Sequence, residues 1–61
     1  MGSDTSDRVR TLLLRGDNLL KHGRSEDQAR AAFEEARRVA VEGDLDQRIR
    51  DLIERRLEQL R

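Results

Sequence analysis

The chain has 61 residues, 34% of them hydrophobic, and its only aromatic residue is Phe33, so we expect one small domain with a thin core. Thirteen basic and thirteen acidic residues give a net charge of zero, which argues against capture of nucleic acid or of an anionic membrane. The chain has no cysteine and one histidine, which excludes disulfides, thiolate metal sites and a metal cluster built from histidines. We therefore predict no enzyme activity and assign no catalytic, cofactor-binding or metal-binding residue.

The distribution of apolar residues excludes a membrane span and favours helices. No apolar run exceeds three residues, whereas a membrane-spanning helix needs about 20. Proline is absent, glycine occurs four times, and alanine, leucine, glutamate and arginine are abundant, which is a composition typical of helices. We therefore expect an all-α protein of the cytoplasm that has no membrane partner.

The first predicted helix covers about residues 7–22. It follows a polar segment, residues 1–6, that we expect to be flexible and to lie outside the fold. The helix should end at Gly23, and Gly16 lies on its apolar stripe where a larger side chain is expected. The other residues of this stripe are Val9, Leu12, Leu13, Leu19 and Leu20.

The second predicted helix covers about residues 26–42. Ser25, followed three residues later by Gln28, is a capping box that satisfies two free amides at the helix start. Gly43 should end the helix in the left-handed conformation. The apolar face at helical spacing consists of Ala29, Ala32, Phe33, Ala36, Val39 and Ala40.

The third predicted helix covers about residues 45–60, capped by Asp44 with Gln47 three residues later. Its apolar stripe consists of Leu45, Ile49, Leu52, Ile53, Leu57 and Leu60. Because both connections are short, neighbouring helices should be antiparallel. The sequence thus predicts a single domain, residues 7–61, of three helices running up, down and up.

Residues 12–39 resemble one tetratricopeptide repeat, a helix-turn-helix unit that stacks into protein-binding solenoids. Gly16 matches the small residue of the first helix of that family, and Ala29, Phe33 and Ala36 match the small and aromatic pattern of its second helix. The third helix resembles the capping helix that follows a last repeat. An unrelated three-helix bundle is the alternative.

The resemblance also implies a partner-binding row on the concave side of the first helix. The row consists of Arg10, Leu13, Asp17, Leu20 and Lys21. In the alternative interpretation, Leu13 and Leu20 instead pack beneath the third helix.

Self-association is predicted because both the first and the third helix carry a leucine-rich apolar stripe. The alanine-rich face of the second helix is too small to cover the apolar stripes of both neighbours, and a second copy would cover the remainder. We expect a homodimer with Leu52, Leu57 and Leu60 at the contact, or alternatively Leu13 and Leu20.

The predicted function is that of a non-catalytic protein–protein interaction module of tetratricopeptide-like type that binds a protein or peptide and self-associates. One alternative is a structural, homo-oligomerising helix bundle. The other is a small helix-turn-helix DNA-binding domain, but acidic residues on its recognition helix would repel phosphates, so we expect no nucleic-acid partner. The basic residues of that helix are Arg48, Arg50, Arg55 and Arg56.

Overall fold

In a computed structural model, which describes residues 3–23 and 25–60, the chain is all-α, as predicted. The three helices are α1 (Ser3–Lys21), α2 (Glu26–Glu42) and α3 (Gln47–Gln59). The described residues contain no strand. Short turns join consecutive helices, and α2 packs against both α1 and α3, as the up-down-up arrangement requires.

Helix α1 begins at Ser3, four residues before the predicted start at Asp7. Residues 3–6 of the segment expected to lie outside the fold are therefore helical, and residues 1 and 2 lie outside the described residues. The early start has a tertiary cause, because Thr5 packs against Gly43 at the far end of α2. At its other end α1 stops at Lys21, and Gly23 follows in the left-handed conformation with a φ of 69°.

Helix α2 has the predicted N-terminal cap but a different C-terminal one. The Ser25 hydroxyl accepts a hydrogen bond from the Gln28 amide at 3.4 Å. Gly43, however, has a φ of −87°, and the left-handed residue is Asp44, with a φ of 52°. The prediction of a left-handed Gly43 was wrong. A side chain at Gly43 would meet the Thr5 methyl group at 2.5 Å, so close packing explains this glycine.

The turn after α2 ends the helix with two backbone hydrogen bonds. The Asp44 amide donates to the Val41 carbonyl at 3.1 Å, and the Leu45 amide donates to the Ala40 carbonyl at 2.9 Å. This is a Schellman motif with Asp44 in the position usually taken by glycine. Helix α3 therefore begins at Gln47, later than predicted, and its cap is Asp46 rather than Asp44.

Phe33 is the centre of the core, since it is the largest fully buried side chain and lies on the inner face of α2. Its ring lies directly over Gly16 of α1, where a Cβ atom would approach the ring Cζ atom to 2.6 Å. Gly16 therefore lies at a close crossing of α1 and α2. The buried core consists of Val9, Ala29, Ala32, Phe33, Ala36, Ala40, Ile53, Leu57 and Leu60.

Two polar contacts hold α3 on the side of α2. The Arg30 guanidinium donates to the backbone carbonyl of Leu60 at 2.9 Å, and Arg37 pairs with Glu54 at 3.3 Å. The molecule is thin, with extents of 35, 19 and 14 Å. Some of its hydrophobic residues therefore form one core, and others lie on surfaces that α3 does not cover.

Candidate interaction surfaces

The predicted partner-binding row lies along α1, but its members have different environments. Arg10 and Lys21 are exposed, whereas Leu13 and Leu20 are partly buried against the core. Asp17, in the middle of the row, is partly buried and bonded within the fold. The row therefore offers charged ends, and its central residues also contribute to the fold.

The bond of Asp17 is an ion pair with Arg56 that joins α1 to α3. The Arg56 guanidinium donates to the Asp17 carboxylate at 3.1 Å, and the two side chains are 33% and 40% exposed, respectively. Helices α1 and α3 otherwise meet at few points. Asp17 consequently has a structural role that its position in the predicted row does not reveal.

Two of the three residues predicted for self-association are buried in the core. Leu57 and Leu60 are 9% and 8% exposed, and only Leu52, at 40%, reaches the surface. Helix α3 is rotated so that Ile53, Leu57 and Leu60 face inward, which uses the leucine area that we expected to remain uncovered. The assignment of Leu57 and Leu60 to a contact with a second copy therefore does not fit the structure.

An open groove between α1 and α2 was not predicted. Its volume is about 500 Å³, and no residue of α3 lines it. Its apolar floor combines two leucines of α1, seven residues apart, with two alanines of α2, and its rims are polar. The α1/α2 groove is lined by Leu12, Arg15, Leu19, Gln28, Ala31, Ala32 and Glu35.

The sequence contains one signal for this groove, namely Leu12 and Leu19 on one flank of the α1 stripe. Both leucines belong to the predicted apolar stripe, and the structure leaves them only partly buried at the edge of the core. The groove continues over Arg15 onto the outer face of α1, where Leu14 is 56% exposed. Sequence periodicity gives the width of an apolar stripe, but not which flank the next helix covers.

The arginines considered for DNA binding are partly engaged within the fold. Arg56 pairs with Asp17, and Arg50 is partly buried and donates to the Gln47 side chain at 3.1 Å. Arg48 and Arg55 are exposed. Two of the four basic groups are thus already bonded to protein partners.

Three other features of the described residues bear on function, namely the histidine, possible metal ligands and the apolar character of the helices. His22 is exposed in the turn after α1. Within residues 3–23 and 25–60, no group of three or more acidic or histidine side chains is placed to hold a metal ion. In the same residues, no helix has the length and apolar character that crossing a membrane requires.

Comparisons with known proteins do not place the chain in a family. No protein-family model, no curated protein and no solved structure matches it.

Proposed function

We propose that the chain is a non-catalytic protein–protein interaction module of tetratricopeptide-like type, and that its binding surface is the α1/α2 groove. The observation that carries the proposal is the solvent-open apolar floor of this groove, formed by Leu12 and Leu19 beside Ala31 and Ala32. Leaving such a floor exposed costs hydrophobic free energy that a bound partner would recover.

The shape of the groove favours a helix as the bound element. Two antiparallel helices with an apolar floor and polar rims form the usual seat for the apolar face of an amphipathic helix. Ala31 and Ala32 lack bulk, so the backbone of an incoming helix can approach α2 closely. Arg15 and Glu35, one on each rim, can pair with charges of either sign on the partner.

A displayed library of amphipathic helical peptides tests the proposal. Peptides selected on the immobilised chain should carry apolar residues at helical spacing. Their binding should fall at least about tenfold with Leu19→Glu, because a carboxylate would enter the apolar floor. Circular dichroism spectra and melting curves establish that the variant is folded.

Variants of the row predicted from the sequence serve as the matched control. Arg10→Glu and Lys21→Glu change exposed residues of the same helix and should leave peptide binding unchanged. Loss of binding with these two variants, but not with Leu19→Glu, would place the binding surface on the predicted row. If the selection yields no peptide that binds through the groove, the proposed function is wrong.

A further inference from the structure

The charged side chains on the two sides of the α1/α2 groove have opposite signs. On α1, Arg8 and Arg15 are seven residues apart and exposed, and His22 follows at the same spacing in the turn after the helix. On α2, Glu35 and Glu42 are also seven residues apart, and Gln28 precedes them at the same spacing. Residues seven apart lie on the same side of a helix, so α1 has a basic rim, whereas the rim of α2 carries Glu35 and Glu42, with Arg38 bonded to Glu35 between them.

The two rims are in register along the groove. Arg15 and Glu35 line it together near the middle. Because Thr5 packs against Gly43, Arg8 and Glu42 lie at the same end. Among the ion pairs of the described residues none connects one rim to the other, and Glu35 instead pairs with Arg38 of its own helix at 3.0 Å. The opposite charges therefore face outward across the apolar floor.

We propose that a second copy of the chain docks on the α1/α2 groove about a two-fold axis parallel to the helices. This axis places α1 of each copy over α2 of the other, so Arg15 of each copy meets Glu35 of its partner. An axis across the helices would instead place α1 on α1 and Arg15 against Arg15. Charge complementarity thus selects both the occupant and its orientation.

The same arrangement is complementary in size and in helix direction. Leu19 of each copy lies over Ala31 and Ala32 of the other, so a large side chain meets small ones. The two α1 and two α2 helices form a four-helix bundle in which all adjacent helices are antiparallel, which is favourable for packing and for helix dipoles. This contact differs from the one expected at Leu52, Leu57 and Leu60.

Sedimentation equilibrium of the full chain, from about 10 μM to about 1 mM, tests the dimer. We expect a monomer–dimer equilibrium that Leu19→Glu shifts to monomer. Leu52→Glu, the same substitution at an exposed leucine of α3, should leave the equilibrium unchanged. A monomer at every concentration, or a dimer lost with Leu52→Glu but not with Leu19→Glu, would overturn the inference.

A charge reversal tests the orientation without altering the apolar floor. Arg15→Glu and Glu35→Lys should each weaken the homodimer at least about tenfold, since each creates two like-charge contacts. An equimolar mixture of the two variants should form a heterodimer of parental affinity, because both contacts then join opposite charges. If the mixture does not regain the affinity of the parental homodimer although both variants are folded, the proposed axis is wrong.

The inference rests on the proposed function, but different experimental results would contradict the two statements. A monomeric chain that still binds helical peptides in the groove would contradict only the second copy as occupant. A dimer that forms in the stated orientation without peptide binding would contradict only the broader interaction role. The peptide selection and the sedimentation experiment therefore report on the two statements separately.

Discussion

Phe33 supplies the bulk between α1 and α2, because its neighbours on the inner face of α2 are alanines. Its ring is fully buried over Gly16. Phe33→Ala should lower the free energy of unfolding by about 3–5 kcal/mol, through lost burial and the cavity that remains. A 61-residue domain has about 3–9 kcal/mol in total, so the variant should be largely unfolded.

Urea denaturation followed by circular dichroism measures the effect of Phe33→Ala. Phe33→Leu is the control, because it keeps most of the apolar volume and should cost clearly less. A Phe33→Ala variant that unfolds at nearly the same urea concentration as the parent would show that the ring is not the centre of the core.

Gly16 is fixed by the ring of Phe33 rather than by backbone conformation. Alanine should gain about 1 kcal/mol in helix propensity, but its Cβ atom would lie 2.6 Å from the Cζ atom of a buried ring. We expect the overpacking cost of about 1–3 kcal/mol to prevail, so Gly16→Ala should lower the melting temperature, and Gly16→Leu should lower it further.

The control for Gly16→Ala is Asn18→Ala, at an exposed position of the same helix, where only helix propensity acts. Asn18→Ala should be neutral or slightly stabilising. A rise in melting temperature for both Gly16→Ala and Gly16→Leu would show that the close crossing does not constrain this position.

The backbone conformation of Asp44 is less favourable for aspartate than it would be for glycine. Its φ of 52° lies in the left-handed region, which is unfavourable for residues with a Cβ atom. Asp44→Gly should therefore raise the free energy of unfolding by about 0.5–1 kcal/mol, and Asp44→Val should lower it. Thermal melts of the two variants check the opposite signs, and destabilisation by Asp44→Gly would contradict the left-handed assignment.

At the scale of the helices, the Asp17–Arg56 pair is the link between α1 and α3. Because both side chains are a third or more exposed, a double-mutant cycle with Asp17→Asn and Arg56→Gln should give a coupling of only about 0.2–1 kcal/mol. The coupling should decrease with added salt. The Glu35–Arg38 pair within α2 is the matched control. A coupling energy of zero between Asp17 and Arg56 at low salt would show that this pair does not link α1 to α3.

The inner faces of the helices could be predicted from sequence because they depend on periodicity. Ala29, Phe33 and Ala36 recur at helical spacing, and all three are buried. The ends of the helices were less predictable. Gly43 has the residue type of a left-handed cap, yet its φ is −87°, and the feature that leaves no room for a side chain there is Thr5, nearly 40 positions away. Local sequence does not contain such a contact.

At the scale of the whole molecule, the candidate site was not predictable because it depends on where α3 packs. The apolar stripe of α1 is wide, and α3, which packs on α2, lies on the side of the α1/α2 pair that carries Asp17. The opposite flank, with Leu12 and Leu19, remains open as the groove. The rotation of α3 likewise determines that Leu57 is buried and Leu52 is exposed.

The central position of α2 determines the order in which parts of the molecule open. Helix α1 or α3 can detach by breaking one interface, whereas freeing α2 requires that both break. In native-state hydrogen exchange, the amides of α2 should therefore exchange only through global unfolding, and those of the 13-residue α3 should exchange first. Exchange of α2 amides ahead of α3 amides would mean that α2 is not the last element to open.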